Sequence, residues 1–207
     1  MSARAAIFDA FGTLIKITKG THPYREILKL GTEQGRRPQP SDAENLMTLP
    51  LDLREAADFF GIHVKPALMT QLEINLLLEV EGIRAYDDGL TSVKALKAEG
   101  IKVVICSNLA KPYASAIERL YPGLDGYAYS FEVGAVKPAF EIYRTATDLA
   151  AVSMSEAWMV GDSKYVDCDV PSSYGIRGFF LDRRGTQGFS TLHQFTEQLL
   201  RDKSSIV

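Results

Sequence analysis

Three clusters of small polar and acidic residues carry the chemistry open to this sequence: Asp9 with Gly12 and Thr13, Ser107 with Asn108, and Gly161-Asp162-Ser163 with Asp167. Each follows a short apolar run. Gly12 permits a tight turn after Asp9 and leaves room for a substrate to approach the backbone. Asp162 and Asp167, on a loop leading into a helix, can converge on one point. A lone Asp at such a position most often caps or charges a helix start, and Asp169 is read that way. Three such ends aimed at one crevice need another explanation. Asp9, Asp162 and Asp167 bring three negative charges, and Lys137 is the one plausible cation nearby. The two uncompensated charges are costly in a crevice unless a divalent ion sits there. Hard oxygen ligands favour Mg2+, which keeps water and substrate phosphate in its shell. Asp9 could hold the ion with one oxygen and attack with the other.

The elements that would position these residues follow from the apolar pattern. Ala5–Phe8, Lys102–Cys106, Ala157–Val160 and Gly178–Leu181 read as buried strands. Residues 88–99 read as a helix closed by Gly100, and the Phe140, Tyr143, Ala146, Leu149 row as a helix opened by Pro138. Leu192, Phe195, Leu199 and Leu200 mark a last helix. Short apolar strands alternating with helices predict an α/β fold, a Rossmann-like doubly wound parallel sheet whose ligands bind at the strands' carboxyl ends. Residues 17–86 break the rhythm. They show helical rows, no strand, and a Pro/Gly/Arg loop at 35–40. The expected organisation is a core of residues 1–16 and 87–207 with a small inserted α-helical cap of residues 17–86.

Composition narrows the partners. The net charge of -3 offers no basic field for nucleic acid, so a small-molecule substrate is expected instead. Cys106 and Cys168 lack disulfide or zinc spacing and read as buried free thiols. No apolar stretch has the length of a membrane span and the N-terminal run is too short for a signal peptide, which points to a cytoplasmic protein without membrane partners. His22, His63 and His193 have no ligand spacing. Arg25, Arg36, Arg37 and Arg54 in the inserted segment read as a solvated face, although one of them could reach down to a substrate carboxylate or phosphate; Trp158 reads as core, and Asp182-Arg183-Arg184 as the source of an ion pair at the crevice rim.

Asp9-Ala10-Phe11-Gly12-Thr13-Leu14, Ser107-Asn108, Lys137-Pro138 and Gly161-Asp162-Ser163 with Asp167 resemble, in order, the four motifs of the haloacid dehalogenase superfamily. The resemblance covers residues 4–14 and 88–183, and the helical insertion matches that superfamily's cap. It implies a hydrolase with Asp9 as nucleophile, forming a covalent aspartyl intermediate. By the same resemblance, Ser107 and Asn108 would bind the transferred group and Lys137 would neutralise developing charge. Thr13 would orient Asp9 or the phosphoryl group, and Phe11 and Gly12 would border the substrate. Asp9, Asp162 and the Phe11 carbonyl would ligate magnesium, with Asp167 in support directly or through water.

Phe11 departs from the family's phosphatases, which place a second Asp there as general acid and base. Losing that proton transfer costs about 10²–10⁴ in rate. The loss matters most for alkyl phosphates and least for aryl or acyl phosphates. The family's 2-haloacid dehalogenases do carry an aromatic residue here, but their last motif lacks the metal-keeping Asp162. Three readings stand: a magnesium-dependent phosphohydrolase acting on easy leaving groups, a metal-independent dehalogenase, and a catalytically weakened ligand- or partner-binding protein.

Overall fold

The computed structural model describes residues 3–185 and 187–204. Chain order runs β1 (Ala5–Phe8), β2 (Ile15–Lys16), α1 (Pro23–Glu33), α2 (Asp42–Thr48), α3 (Leu53–Phe59), α4 (Pro66–Glu81), β3 (Arg84–Ala85), α5 (Asp87–Ala98), β4 (Lys102–Ser107), α6 (Ala114–Leu120), β5 (Gly126–Tyr129), α7 (Ser130–Val133), α8 (Phe140–Leu149), β6 (Ala157–Gly161), α9 (Val170–Ser173), β7 (Arg177–Phe180) and α10 (Leu192–Ser204).

Five strands form one parallel sheet in the order β5-β4-β1-β6-β7. Every residue of β1 is buried, as a central strand covered on both faces requires. Its side chains alternate between two cores: Ala6 and Phe8 face one, Ala5 and Ile7 the other. Phe8 meets Phe195 of α10 edge-on at 5.5 Å. Ile7 shares its side with Val104, Met159 and the α8 residue Tyr143. The chain leaves β1 for β4 and β5, then crosses back to β6 and β7. The order therefore reverses at β1, and the crevice lies where β1, β4 and β6 end.

Four helices, α1 to α4, fill most of residues 23–81. Pro23 and Pro66 open α1 and α4, where a missing N–H matters least. Asp52 and Glu55 close a capping box at the start of α3. Helices α1, α3 and α4 pack on one another, while α2 lies against α7 of the sheet layer. The buried Glu79 of α4 accepts hydrogen bonds from the Thr21 and His22 backbone, the Thr21 hydroxyl and the Tyr113 hydroxyl at 2.7 Å. One carboxylate thus pins the helical segment to its linker and to the chain after β4. No helix among the described residues is long and apolar enough to cross a membrane.

Several elements differ from the sequence reading. The edge strand β5 and the short helices α2, α6 and α7 were not anticipated, because runs of four to seven residues carry too little periodicity. Residues 17–86 are not free of strand: β3 pairs antiparallel with β2 across the base of the insertion. Pro138 does not open α8, which begins at Phe140 after the N-cap Ala139. Asp169 precedes α9 rather than lying in its first turn, and pairs with Lys164 at 2.7 Å. Cys106 is buried but Cys168 is half-buried; both are free.

Candidate active site

Asp9 leaves the end of β1 with its N–H bonded to the Val160 carbonyl at 3.0 Å, which fixes it between the tips of β1 and β6. The next residues fold into a tight turn, with the Ala10 carbonyl accepting from Thr13, Leu14 and Ile15. Leu14 and Ile15 anchor that turn by complete burial. Gly12 takes φ +80°, and a Cβ there would lie 1.9 Å from Oδ2 of Asp162. The glycine therefore makes room for this neighbouring carboxylate rather than for a substrate.

Lys137 joins the centre. Its Nζ donates to Asp9 Oδ1 and Asp167 Oδ1, both at 2.7 Å, and only 6% of the residue is exposed. An ammonium has three N–H donors, so one remains for a ligand. Asn108 holds the Lys137 backbone at both ends: Nδ2 donates to its carbonyl at 3.1 Å, and its N–H donates to Oδ1 at 2.7 Å. The Asn108 side chain thus places Lys137. Asp167 is also engaged twice, since its Oδ2 accepts the Ser163 N–H at 3.0 Å. Thr13 is wholly buried and its hydroxyl accepts the Asp162 N–H at 3.1 Å, tying the β1 loop to the β6 loop. Ser107 ends β4, buried at the crevice floor.

Electrostatics follow from these distances. Burial pushes the Asp9 carboxyl up to about 6; Lys137 opposes the rise, and Asp167 and Asp162 add to it. Burial together with Asp167 also raises Asp162. Burial alone would pull Lys137 down, but Asp9 and Asp167 outweigh it and hold the ammonium above its ordinary value. One oxygen from each of Asp9, Asp162 and Asp167 lies within 4.8 Å of the others. The three donors lie close enough together to share one cation, and hard carboxylate oxygens suit magnesium.

The Phe11 ring meets Tyr113 edge-on at 5.9 Å. It borders a cavity of about 330 Å³ that Ile17, Met47, Leu109, Tyr113 and Arg25 also line. Of the four arginines assigned to a solvated face, Arg36 pairs with Asp42 and Arg54 with Glu73. Arg25 is exposed, as a solvated face requires, and also lines this cavity. On the other side of Asp162, Arg183 does form an ion pair, with Asp88 at 3.0 Å.

A family model described as haloacid dehalogenase-like hydrolase matches residues 3–170. A protein of Clostridium perfringens (strain 13 / Type A) named "Putative pyrophosphatase PpaX" is 27% identical over 172 residues, 78% of this chain and 76% of that protein. An L-2-haloacid dehalogenase structure aligns with a TM-score of 0.62 at 18% identity, covering 96% of this chain and 100% of that one. A HAD family enzyme of Bacteroides thetaiotaomicron, solved with magnesium and inorganic phosphate, aligns with a TM-score of 0.63 at 16% identity, covering 87% and 95%. At such identities the two structures speak for the fold.

Proposed function

Since the chain belongs to the haloacid dehalogenase-like hydrolases, we propose that it is a magnesium-dependent phosphohydrolase acting on a small phosphorylated molecule with an easy leaving group. The observation that carries this reading is the gathering of three carboxylates whose oxygens lie within 4.8 Å of one another, two of them held by a single lysine. Asp9, Asp162 and the Phe11 carbonyl would hold magnesium, whose chemistry there is to neutralise charge on the phosphoryl oxygens. Residues 17–86 act as a cap that excludes water and selects the substrate.

In this mechanism the free oxygen of Asp9 attacks phosphorus, and the bond from phosphorus to the leaving oxygen breaks. Lys137, bound to the other oxygen of Asp9, directs its remaining N–H at the transferred group and offsets the charge that builds there. Asn108 and Asp167 keep the ammonium in place. The leaving oxygen departs with its electron pair, because Phe11 has no proton to give. Aryl and acyl oxyanions tolerate this and alkoxides do not. Water then hydrolyses the aspartyl phosphate, itself an activated anhydride, and restores Asp9. The apolar walls beside Phe11 suit an aromatic or acyl body, and Arg25 suits a second anionic group on it.

Phe11 also favours the dehalogenase reading, since halide leaves without a proton. Asp162 opposes it: without a cation, its charge would repel a haloacid carboxylate. The test is release of phosphate from an aryl phosphate. It is expected to stop on chelation of magnesium and in Asp9→Asn. Turnover indifferent to chelation removes the phosphohydrolase. Halide release from a 2-haloacid without metal would install the dehalogenase. Ligand binding with no turnover of either class would leave the weakened binding protein.

A further inference from the structure

Arg183, on the loop after β7, does more than form the rim ion pair: it holds the loop that follows the nucleophile. Its Nε donates to the Gly12 carbonyl at 3.1 Å and its Nη2 to the Thr13 carbonyl at 2.6 Å. Its Nη1 and Nη2 donate to Asp88 at 3.0 and 3.2 Å. The guanidinium also lies over the Tyr86 ring, 3.8 Å from its centre. Asp88 is itself fixed, because its Oδ2 accepts the Leu192 N–H at the start of α10, 2.9 Å away.

Four bonds to four acceptor atoms use four of the five N–H donors of an arginine. Although Arg183 borders a cavity of about 550 Å³ together with Gly12 and Asp162, it is therefore spent on the protein rather than poised for an anion. The two carbonyls it grips belong to the residues on which Asp162 rests. The Asp162 carboxylate packs against Gly12, and the Asp162 N–H bonds the Thr13 hydroxyl. The Phe11 carbonyl is the next acceptor up the chain.

We propose that Arg183 is a positioning residue for the magnesium site, clamping the Gly12 and Thr13 carbonyls so that Asp162 and the Phe11 carbonyl keep one fixed separation. The proposal rests on the magnesium-dependent reading above. Lysine cannot replace it, since one ammonium cannot span two carbonyls and a carboxylate in the same plane. Outer partners of this kind are worth about 10–100-fold in metal affinity.

The experiment is calorimetric titration of magnesium chloride, without substrate, into the full chain and its variants. Arg183→Met is expected to weaken magnesium binding by about 10–100-fold. Raising the magnesium concentration should restore part of its turnover of an aryl phosphate, because the loss lies in metal affinity. Arg177→Met, which removes the guanidinium stacked on Trp158 away from the crevice, should bind magnesium as the wild type does. If Arg183→Met fails to fold, Arg183→Lys carries the test with the charge kept, and weakened binding is again expected. Wild-type affinity in a folded Arg183 variant overturns the clamp alone. A wild-type chain that takes up no magnesium overturns the phosphohydrolase reading, and the clamp with it.

Discussion

Replacing the nucleophile should make the metal-free protein more stable. The Asp9 carboxyl stands at about 6 against an ordinary 3.8, chiefly because burial disfavours its charge and because Asp167 and Asp162 repel it. That rise corresponds to roughly 3 kcal/mol of strain in the ionised form. A carboxyl raised on folding binds its proton more tightly in the native state. Its contribution is therefore most favourable below the unfolded value of 3.8 and is lost as pH climbs through about 6. Asp9→Asn removes the titrating charge and leaves an oxygen for Lys137, which also keeps Asp167 at 2.7 Å. At about pH 8 without magnesium the variant should gain about 3 kcal/mol, or roughly 6–12 °C in Tm for a chain of this size. Near pH 4 the gap should close. Magnesium should narrow it from the other side, since a ligand at a hundred times its Kd adds about 2.7 kcal/mol to the wild type. Thermal unfolding at the two pH values, with and without magnesium, reads all three effects. An Asn variant no more stable at the higher pH, or a gap equally wide in acid, would refute the electrostatic reasoning.

Two further outcomes test the parts beside the nucleophile. Phe11→Asp should raise kcat for an alkyl phosphate by at least ~10-fold, given the 10²–10⁴ that general acid catalysis supplies, with little change for an aryl phosphate; steady-state kinetics on the two substrates measure the split. Gly12→Ala should lower kcat/KM by at least ~100-fold through a displaced Asp162, because its Cβ would meet Oδ2 at 1.9 Å and because φ is +80°; initial rates against a thermal-unfolding control check that the loss lies in the site.

What could be seen from sequence alone was set by how local the physics is. Asp9, Ser107 and Asp162 were legible because strand ends and glycine turns leave local marks, and the sheet then brings them together, whereas Lys137 was read only as the one plausible cation nearby. The strands β1, β4 and β6, and β7 at the sheet's edge, were legible as apolar runs. The edge strand β5, Gly-Tyr-Ala-Tyr, was not, since its four residues resemble a loop until paired with β4. Asn108 and Thr13 were found as polar residues at these places, but their partners within the chain, the Lys137 backbone and the Asp162 N–H, were not foreseen. Which lone pair a buried amide or hydroxyl meets is fixed only by packing. The partners of Arg183 and Arg25 show the limit most clearly, since a rim ion pair and a cap arginine near the substrate were expected without a named partner. Both are single cations among many, and their partners lie on other elements: Asp88 and the Gly12 turn for one, the Phe11 cavity for the other.

The central claim, that a cation-binding cluster turns Asp9 into an attacking group, is tested most directly by looking for the covalent intermediate. The chain is quenched in acid during turnover of acetyl phosphate or an aryl phosphate, digested, and weighed by mass spectrometry. The expected result is one phosphoryl group on the peptide that holds Asp9, present with magnesium and absent after chelation. Sustained phosphate release with that peptide unmodified under every quench time, or modification at another residue, would contradict it.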